Sequence, residues 1–424
     1  MSIAPARRAA YEVLRRVFED DAYADRALRS ASAGLDDRDL ALARRLSFGA
    51  VQMVRTLDHA IEILGKRPVW RLDPPVRAAL RLGAYQLGYL DGVPRYAAVN
   101  ESVELVRRAR LERAVPYANA VLRRVADGIR PLVAALPEGP LKHSYPDWIW
   151  EVWRRELGES EALALMRAQN EAPPVVVRHV RGTPPEGALT AIPGAYRVER
   201  LDVPAFERGE VWPQSVGSQL AALCVRAQPG ERVLDLCAAP GGKATMLDGE
   251  VVAVEANEGR AGELVENVRR LRAENVQVLH ADGRALPVDL DGFDRALVDA
   301  PCSGLGVLAA RPDLRWRSRP LPELQVELLL AAAERVRPGG TVLYSVCTIN
   351  AEESEAVVDA SGLRVEPIEE WPQFRHPRRP EFLQTYPHRD ETSGFFIARL
   401  RVGDADEDVP GGAAADPLAR TRPI

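Results

Sequence analysis

Cysteine is scarce in this 424-residue chain: four residues, at 224, 237, 302 and 347, with no close pair. That excludes a disulfide framework and fits a reducing compartment, so a cytoplasmic protein is expected. Six scattered histidines offer no metal-ligand spacing, and no metal is expected. No run approaches the roughly 18 consecutive apolar residues a membrane span needs. The opening stretch MSIAPARRAAYEVLRR is charged and helical in pattern, without the apolar core of a cleavable leader. Lysine is the rarest of these, three residues against 53 arginines, which makes Lys243 conspicuous. What remains is ordinary: 46% hydrophobic and 28% charged residues, enough for real cores and, at this length, for two or three domains.

The net charge of −5 conceals an asymmetry. Residues 1–135 carry 23 Lys+Arg against 16 Asp+Glu, a balance of +7, whereas residues 136–402 stand at −9 and residues 403–424 at −3. A basic front half is a modest pointer to an anionic partner, and a solvated helical surface explains it equally well. Residues 1–130 read as a helical domain. Ala10, Val13, Leu14, Val17 and Phe18 fall on one face at 3.6-residue spacing, and a second stripe runs from Asp39 to Leu64, with Asp36 or Asp37 as its cap. Pro74 and Pro75 open a third helix. The Pro- and Gly-rich stretch 129–140 reads as a linker. Residues 140–212 suggest a small α+β connector with two helices and the strand VVVRHV. From 213 to 402, short apolar runs (ERVLDLC, VVAVEA, VQVLHA, DRALVDA, TVLYSVC) alternate with helical patterns, which predicts an α/β, doubly wound, Rossmann-like sheet; FFIARLR supplies a last strand. Residues 403–424 read as a disordered tail.

The chemistry concentrates at strand ends. In VLDLCAAPGGKAT a strand ends at Asp235, and Cys237, Ala238, Ala239, Pro240, Gly241, Gly242 and Lys243 make a tight turn whose glycines let backbone approach a ligand. Glu255 ends the next strand, where a doubly wound fold binds a ribose diol, and Asp282 follows the third, on the adenine side. Taken singly, each acid is a surface or capping carboxylate; three at successive strand ends make a nucleoside-binding edge. LVDAPCSG places Asp299 and Cys302 at one strand end, and LYSVCT places Cys347 at another. Cys224 reads as an inert core thiol, and so does the thiol of Cys237. Arg311, Arg315, Trp316, Arg317 and Arg319 form a basic, aromatic-containing cluster of the kind that pairs with phosphates and stacks on bases, although any one of them suits an ordinary loop. Arg7, Arg8, Arg15 and Arg16 are further candidates.

DLCAAPGGKAT, DAPCSG and the cysteine of SVCT together resemble the RNA cytosine-5 methyltransferases that use S-adenosylmethionine. YAAVNESVELVRRAR and YANAVLRR resemble the NusB-like helical domain, which implies that residues 1–130 bind RNA, and HSYPDWIWEVW, QNEAPPVVVR and VWPQSVGSQL resemble the connector of the bacterial RsmB (Sun, Fmu) family, which modifies 16S ribosomal RNA. The resemblance reaches residue 401. It implies a monomeric enzyme with Cys347 as nucleophile, Cys302 assisting product release, and a cofactor site at Cys237–Lys243, Glu255, Asp282 and Asp299. In that site Lys243 and Asp299 also serve the reacting centre. Arg311, Arg315, Trp316 and Arg317 would contact the RNA. DNA enzymes attack with the Pro-Cys cysteine, which would select Cys302; the additional Cys347 favours RNA. Rival readings are the same reaction on tRNA and a non-catalytic RNA-binding factor. Two departures stand out: Glu255 replaces the usual Asp, and the segment from Lys243 to Val251 leaves little room for a first helix.

Overall fold

The computed structural model describes residues 3–403, so the tail expected at 403–424 lies, but for its first residue, outside the described residues. The N-terminal part folds as α1 (Pro5–Glu19), α2 (Ala24–Ala31), α3 (Asp37–Gln52), α4 (Val54–Gly65), α5 (Pro74–Tyr89), α6 (Arg95–Arg108) and α7 (Val115–Ala134). Each buries the face its periodicity marks: Val13 and Leu14, Leu46, Leu57 and Ile61, Leu80 and Leu82, Val121 and Leu122 meet in one core. Truncating one such leucine to alanine costs about 2–5 kcal/mol. Gly49 lets α3 lie against α5, since a Cβ there would stand 1.9 Å from Tyr85 Oη.

Two expectations change. The stripe from Asp39 to Leu64 is two helices sharing a core face, broken at Met53; a periodic pattern alone does not register a change of axis. Asp36 is the residue that caps α3, accepting from Asp39 N at 2.8 Å. The stretch 129–140 is helix as far as Ala134, Pro131 included, because Ile129 is fully buried in the helical core and that packing outweighs one lost backbone bond.

The connector comprises α8 (Asp147–Leu157), α9 (Glu159–Ala168), β1 (Val175–His179), β2 (Ala188–Leu189), β3 (Ala195–Val198), α10 (Val203–Glu207) and β4 (Val211–Pro213), with an antiparallel sheet in the order β2-β3-β1-β4. After α11 (Val216–Val225) come β5 (Arg232–Asp235), β6 (Glu250–Glu255), α12 (Glu258–Leu271), β7 (Val276–His280), β8 (Phe293–Asp299), α13 (Leu314–Arg317), α14 (Pro322–Arg335), β9 (Val336–Val346), α15 (Glu355–Ser361), β10 (Arg364–Glu366), β11 (Leu383–Gln384), α16 (Pro387–Asp390) and β12 (Phe396–Arg401). Their sheet runs β7-β6-β5-β8-β9-β12-β10, with β11 on β12. Strands β5 to β9 are parallel, and β12 enters antiparallel between β9 and β10. The winding reverses between β7 and β8, so β5 and β8 flank the switch point, where a doubly wound sheet opens a crevice at its C-terminal edge. Only a 3₁₀ turn, Ala244–Met246, separates Lys243 from β6, so the usual first helix is absent there. Among the described residues no helix is long and apolar enough to cross a membrane.

Candidate active site

Strand register sets the site. Asp235 pairs with Ala253 on one side and Leu297 on the other, and Asp299 pairs with Ser345, so the ends of β5, β6, β8 and β9 lie side by side. The turn after β5 contains a cis Ala239–Pro240 bond, and Gly241 sits at φ +104°, a region open to glycine. Helix α12 holds this turn by its carbonyls: Arg260 donates to Ala239 O at 2.7 Å and Asn267 to Pro240 O at 2.9 Å. From the connector, buried Arg178 bonds Thr245 O and Oγ1, clamping the turn from the other side.

Two cavities meet here. One, about 690 Å³, runs over the strand ends past Cys237, Ala239, Pro240, Glu255, Asp282, Asp299, Cys302 and Cys347, with Leu324 and Leu328 as apolar walls. The other, about 900 Å³, lies between sheet and connector and is lined by Trp212, Gln214, Asp235, Cys237 to Pro240, Gly242, Lys243, Asp299, Cys347 and Phe395. Cys347 and Asp299 face both. Gly241 lines neither and shapes the turn, whereas a Cβ on Gly242 would meet Trp212 Nε1 at 2.8 Å.

In the smaller cavity, Glu255 is buried, accepts from Asn257 N at 2.9 Å and lies 3.4 Å from Arg260. Asp282 is held by Arg284 through two side-chain bonds of 3.1 and 2.8 Å and one from its backbone N–H. Those bonds keep its carboxyl below the ordinary range. The donor set suits a nucleoside carrying a cationic tail: an acid for vicinal hydroxyls, apolar walls for a base, and an orphaned acid nearby. That orphan is Asp235, on the wall of the larger cavity beside the shared Cys237 turn, buried and with no side-chain hydrogen-bond partner on either carboxylate oxygen. Burial, with Asp299 beside it, raises its pKa to about 7. The sequence reading passed over Asp235 as the end of a strand; its place directly before the Leu-Cys-Ala-Ala-Pro-Gly-Gly-Lys turn was the available signal.

At the junction, Cys302 Sγ lies 3.4 Å from Cys347 Sγ. Its hydrogen bond to Cys347 and its burial push the Cys302 thiol well above its ordinary value, so it stays protonated. The thiols of Cys224 and Cys237 are raised by burial as well, that of Cys224 to about 12. Lys243 Nζ sits 2.7 Å from Asp299 Oδ2 and 5.1 Å from the centre of the Phe395 ring, and Ser345 Oγ donates to Asp299 Oδ1 at 2.7 Å. The lysine therefore serves the carboxylate end of β8.

A second residue missed in the sequence, Glu353, ties the two cysteine loops together. Fully buried, its Oε1 accepts from the backbone N–H of Ser303 (2.9 Å) and Leu321 (3.1 Å) and from Gln325 (3.0 Å). Its Oε2 takes the Ser303 hydroxyl, with Thr348 and Asn350 each at 3.4 Å. Gln169, on the connector, bonds Leu305 O and Leu308 N at 2.8 Å each, holding the loop after Cys302 from outside.

Most of the cluster expected to meet RNA makes contacts within the molecule, while Trp316, Arg317 and Arg319 also line a surface hollow of about 600 Å³ with Trp148. Arg315 is fully buried over the Tyr145 ring at 3.9 Å and bonds Gln169 O at 2.9 Å. Trp316 donates to Val51 O at 2.7 Å and packs on the helical core. Arg317 pairs with Asp21 at 3.2 Å and covers Tyr23 at 4.0 Å. Arg311 faces Tyr23 and Asp25 at the mouth of both cavities. These residues dock the helical domain, and Arg315, fully buried, has no surface left for RNA; a loop rich in arginine has the same composition in an interface as in solvent. Arg319 remains exposed. Of the earlier candidates, Arg7 is consumed by Glu101 and Gln86, and Arg15 by Glu19.

The helical first part, the mixed sheet and this strand-end centre define a two-part protein: a NusB-like domain joined to a Rossmann-like methyltransferase domain. Residues 222–401 match the family described as 16S rRNA methyltransferase RsmB/F, and residues 4–127 match the NusB family. The chain is 36% identical to ribosomal RNA small subunit methyltransferase B of Thermus thermophilus, over 89% of this chain and 92% of that one. It is 31% identical to the protein of that name from Escherichia coli, over 93% and 98%. The fold of the solved protein PH0851 covers 95% of this chain and 99% of its own at a TM-score of 0.79 and 24% identity. The chain belongs to the RsmB/F methyltransferase family.

Proposed function

We propose that this protein methylates C5 of a cytosine in 16S ribosomal RNA, using S-adenosylmethionine and a transient Cys347–C6 bond. One observation carries the reading: Cys347 and Asp299 line both cavities, so the smaller can hold the methyl donor and the larger the extruded base, with the sulfur between them. The names of the Thermus and Escherichia relatives support the RNA substrate. When bound, S-adenosylmethionine supplies an electrophilic methyl group; Glu255 would hold its ribose hydroxyls and the Cys237–Lys243 turn its tail.

The protein's own groups do the rest. Cys347 thiolate adds to C6, forming a C–S bond and making C5 electron-rich enough to take the methyl group. Asp299, fixed by Lys243 and Ser345, accepts from the base and orients it. A base then removes the C5 proton, the C6–S bond breaks and the Cys347 thiolate returns. Protonated Cys302, 3.4 Å away, assists that release.

The test is covalent trapping on 16S rRNA from cells lacking the gene, with S-adenosylmethionine present. Cys302→Ala should accumulate a protein–RNA adduct on a denaturing gel, Cys302→Ala/Cys347→Ala should give none, and sequencing the trapped RNA should reveal one modified cytosine. An adduct that survives loss of Cys347 but not of Cys302 reverses the roles. Methyl transfer to tRNA and not rRNA overturns the substrate.

A further inference from the structure

Residues 1–135 carry a positive excess of 7. Much of it is neutralised locally: Arg7, Arg55, Arg81, Arg95 and Arg130 are each paired with an acid. Several other arginines of this part have no acid partner among the described residues, and four of them are gathered in one place. Arg67 and Arg71, between α4 and α5, and Arg110 and Arg113, between α6 and α7, are exposed and line one hollow of about 500 Å³. No carboxylate stands within 4.0 Å of any of them among the described residues, although Asp73 and Glu112 share the hollow and Glu112 is drawn to Arg107 at 4.0 Å. Lys66, exposed, adjoins them in sequence. The aromatic component is present as well: Arg67 lies 5.7 Å from the centre of the Tyr117 ring, and Arg71 lies 4.8 Å from that of Trp70, which is 69% exposed.

Leaving four guanidinium groups around one concavity is unfavourable in the free protein, because like charges repel and each competes for the same counterions. A polyanion reverses the sign of that term. An acidic protein segment would satisfy the charge, but it gives no use to the exposed indole beside Arg71. A single-stranded nucleic acid uses both groups, phosphates on the arginines and a base on the ring. The elements that carry the hollow are rigid: Leu72 and Val76 are buried beneath it, and Val69 N is held by Glu62 at 2.8 Å.

We propose that this hollow is an RNA-binding site, gripping a single-stranded or bulged segment of the substrate RNA by its phosphates and stacking a base on Trp70. It anchors RNA at a surface separate from the two cavities that meet at Cys347. The assignment rests on the rRNA methyltransferase reading and adds where the substrate is held.

The full-length protein would be titrated with protein-free 16S rRNA over a range of salt concentrations, comparing wild type, Arg67→Ala/Arg71→Ala/Arg113→Ala, the corresponding triple Lys variant, and Trp70→Ala. If three phosphate contacts are lost, the log–log salt slope should become shallower by about 2–3 and the affinity should fall about tenfold or more near 0.1 M salt. The Lys variant should retain most of the slope. Trp70→Ala should weaken binding several-fold with the slope unchanged. Binding of sinefungin, a stable analogue of the methyl donor, should be the same in all four proteins and reports an intact fold. A triple Ala variant with wild-type affinity and slope overturns the site while leaving the function reading in place. If wild type itself neither binds nor methylates 16S rRNA, the function reading fails and takes this inference with it.

Discussion

Asp235 carries a free-energy cost that the free protein cannot relieve. Its carboxylate is buried without a side-chain hydrogen-bond partner, and burial with Asp299 beside it raises its pKa to about 7, far above that of an exposed aspartate. The folded state therefore holds the proton more tightly than the unfolded chain does. The favourable contribution is complete below about pH 4 and is lost as pH rises through about 7. Asp235→Asn should accordingly raise the melting temperature at pH 8, with the advantage shrinking toward pH 5. If the carboxylate is kept to meet a cationic ligand, the same variant should bind sinefungin about tenfold more weakly. Calorimetric melting at several pH values and titration calorimetry check the two halves separately. A variant that melts like wild type at pH 8 would show the carboxylate to be solvated.

Among the structural elements, the loops after β8 and β9 matter most, because each delivers one cysteine and neither has regular structure to hold it. Glu353 does this from the turn before α15, with only donors around it. A carboxylate is the side chain that accepts from all of them. Glu353→Gln therefore sets an N–H₂ against existing donors and should cost about 1–3 kcal/mol. It should also slow adduct formation in the Cys302→Ala background at least tenfold at a temperature where the variant is folded. Wild-type adduct kinetics in folded Glu353→Gln would limit Glu353 to a local structural part. Gly306 is the other fixed point: it accepts from Gly394 N and donates to Cys347 O, and a Cβ there would lie 2.0 Å from Gly394 O. Gly306→Ala should displace the Cys347 loop and abolish the adduct in the same assay.

Across the whole molecule, the helical domain closes one wall of the smaller cavity. Tyr23, Asp25, Arg26 and Arg29, at the start of and within α2, wall the same cavity as Glu255 and Asp282. The guanidinium groups of Arg311 and Arg317 both pack on the Tyr23 ring, which ties that wall to the loop following Cys302. Removing the wall with Tyr23→Ala/Arg26→Ala/Arg29→Ala should weaken sinefungin binding about three- to tenfold without moving its pH dependence. Unchanged affinity would mean that the methyl donor is held by the sheet domain alone.

Much of this was legible without coordinates. The apolar stripes of α1 and α5, the strand runs from Arg232 onward, and the acids and cysteines at strand ends are local patterns, and secondary structure follows from local spacing. The match of motifs to an enzyme family added the roles. What local pattern could not convey was partnership across distance. That Lys243 meets Asp299, that Cys302 meets Cys347, and that the Asp235 carboxylate meets no other side chain in a hydrogen bond depend on which strand ends become neighbours in the β7-β6-β5-β8-β9 order. The same holds for Arg315 and Trp316. Their loop reads as a basic, aromatic cluster suited to RNA or as an ordinary loop, and only the docking of two domains buried Arg315 and tied Trp316 to Val51, because burial is a property of what packs against a residue and not of the residue itself.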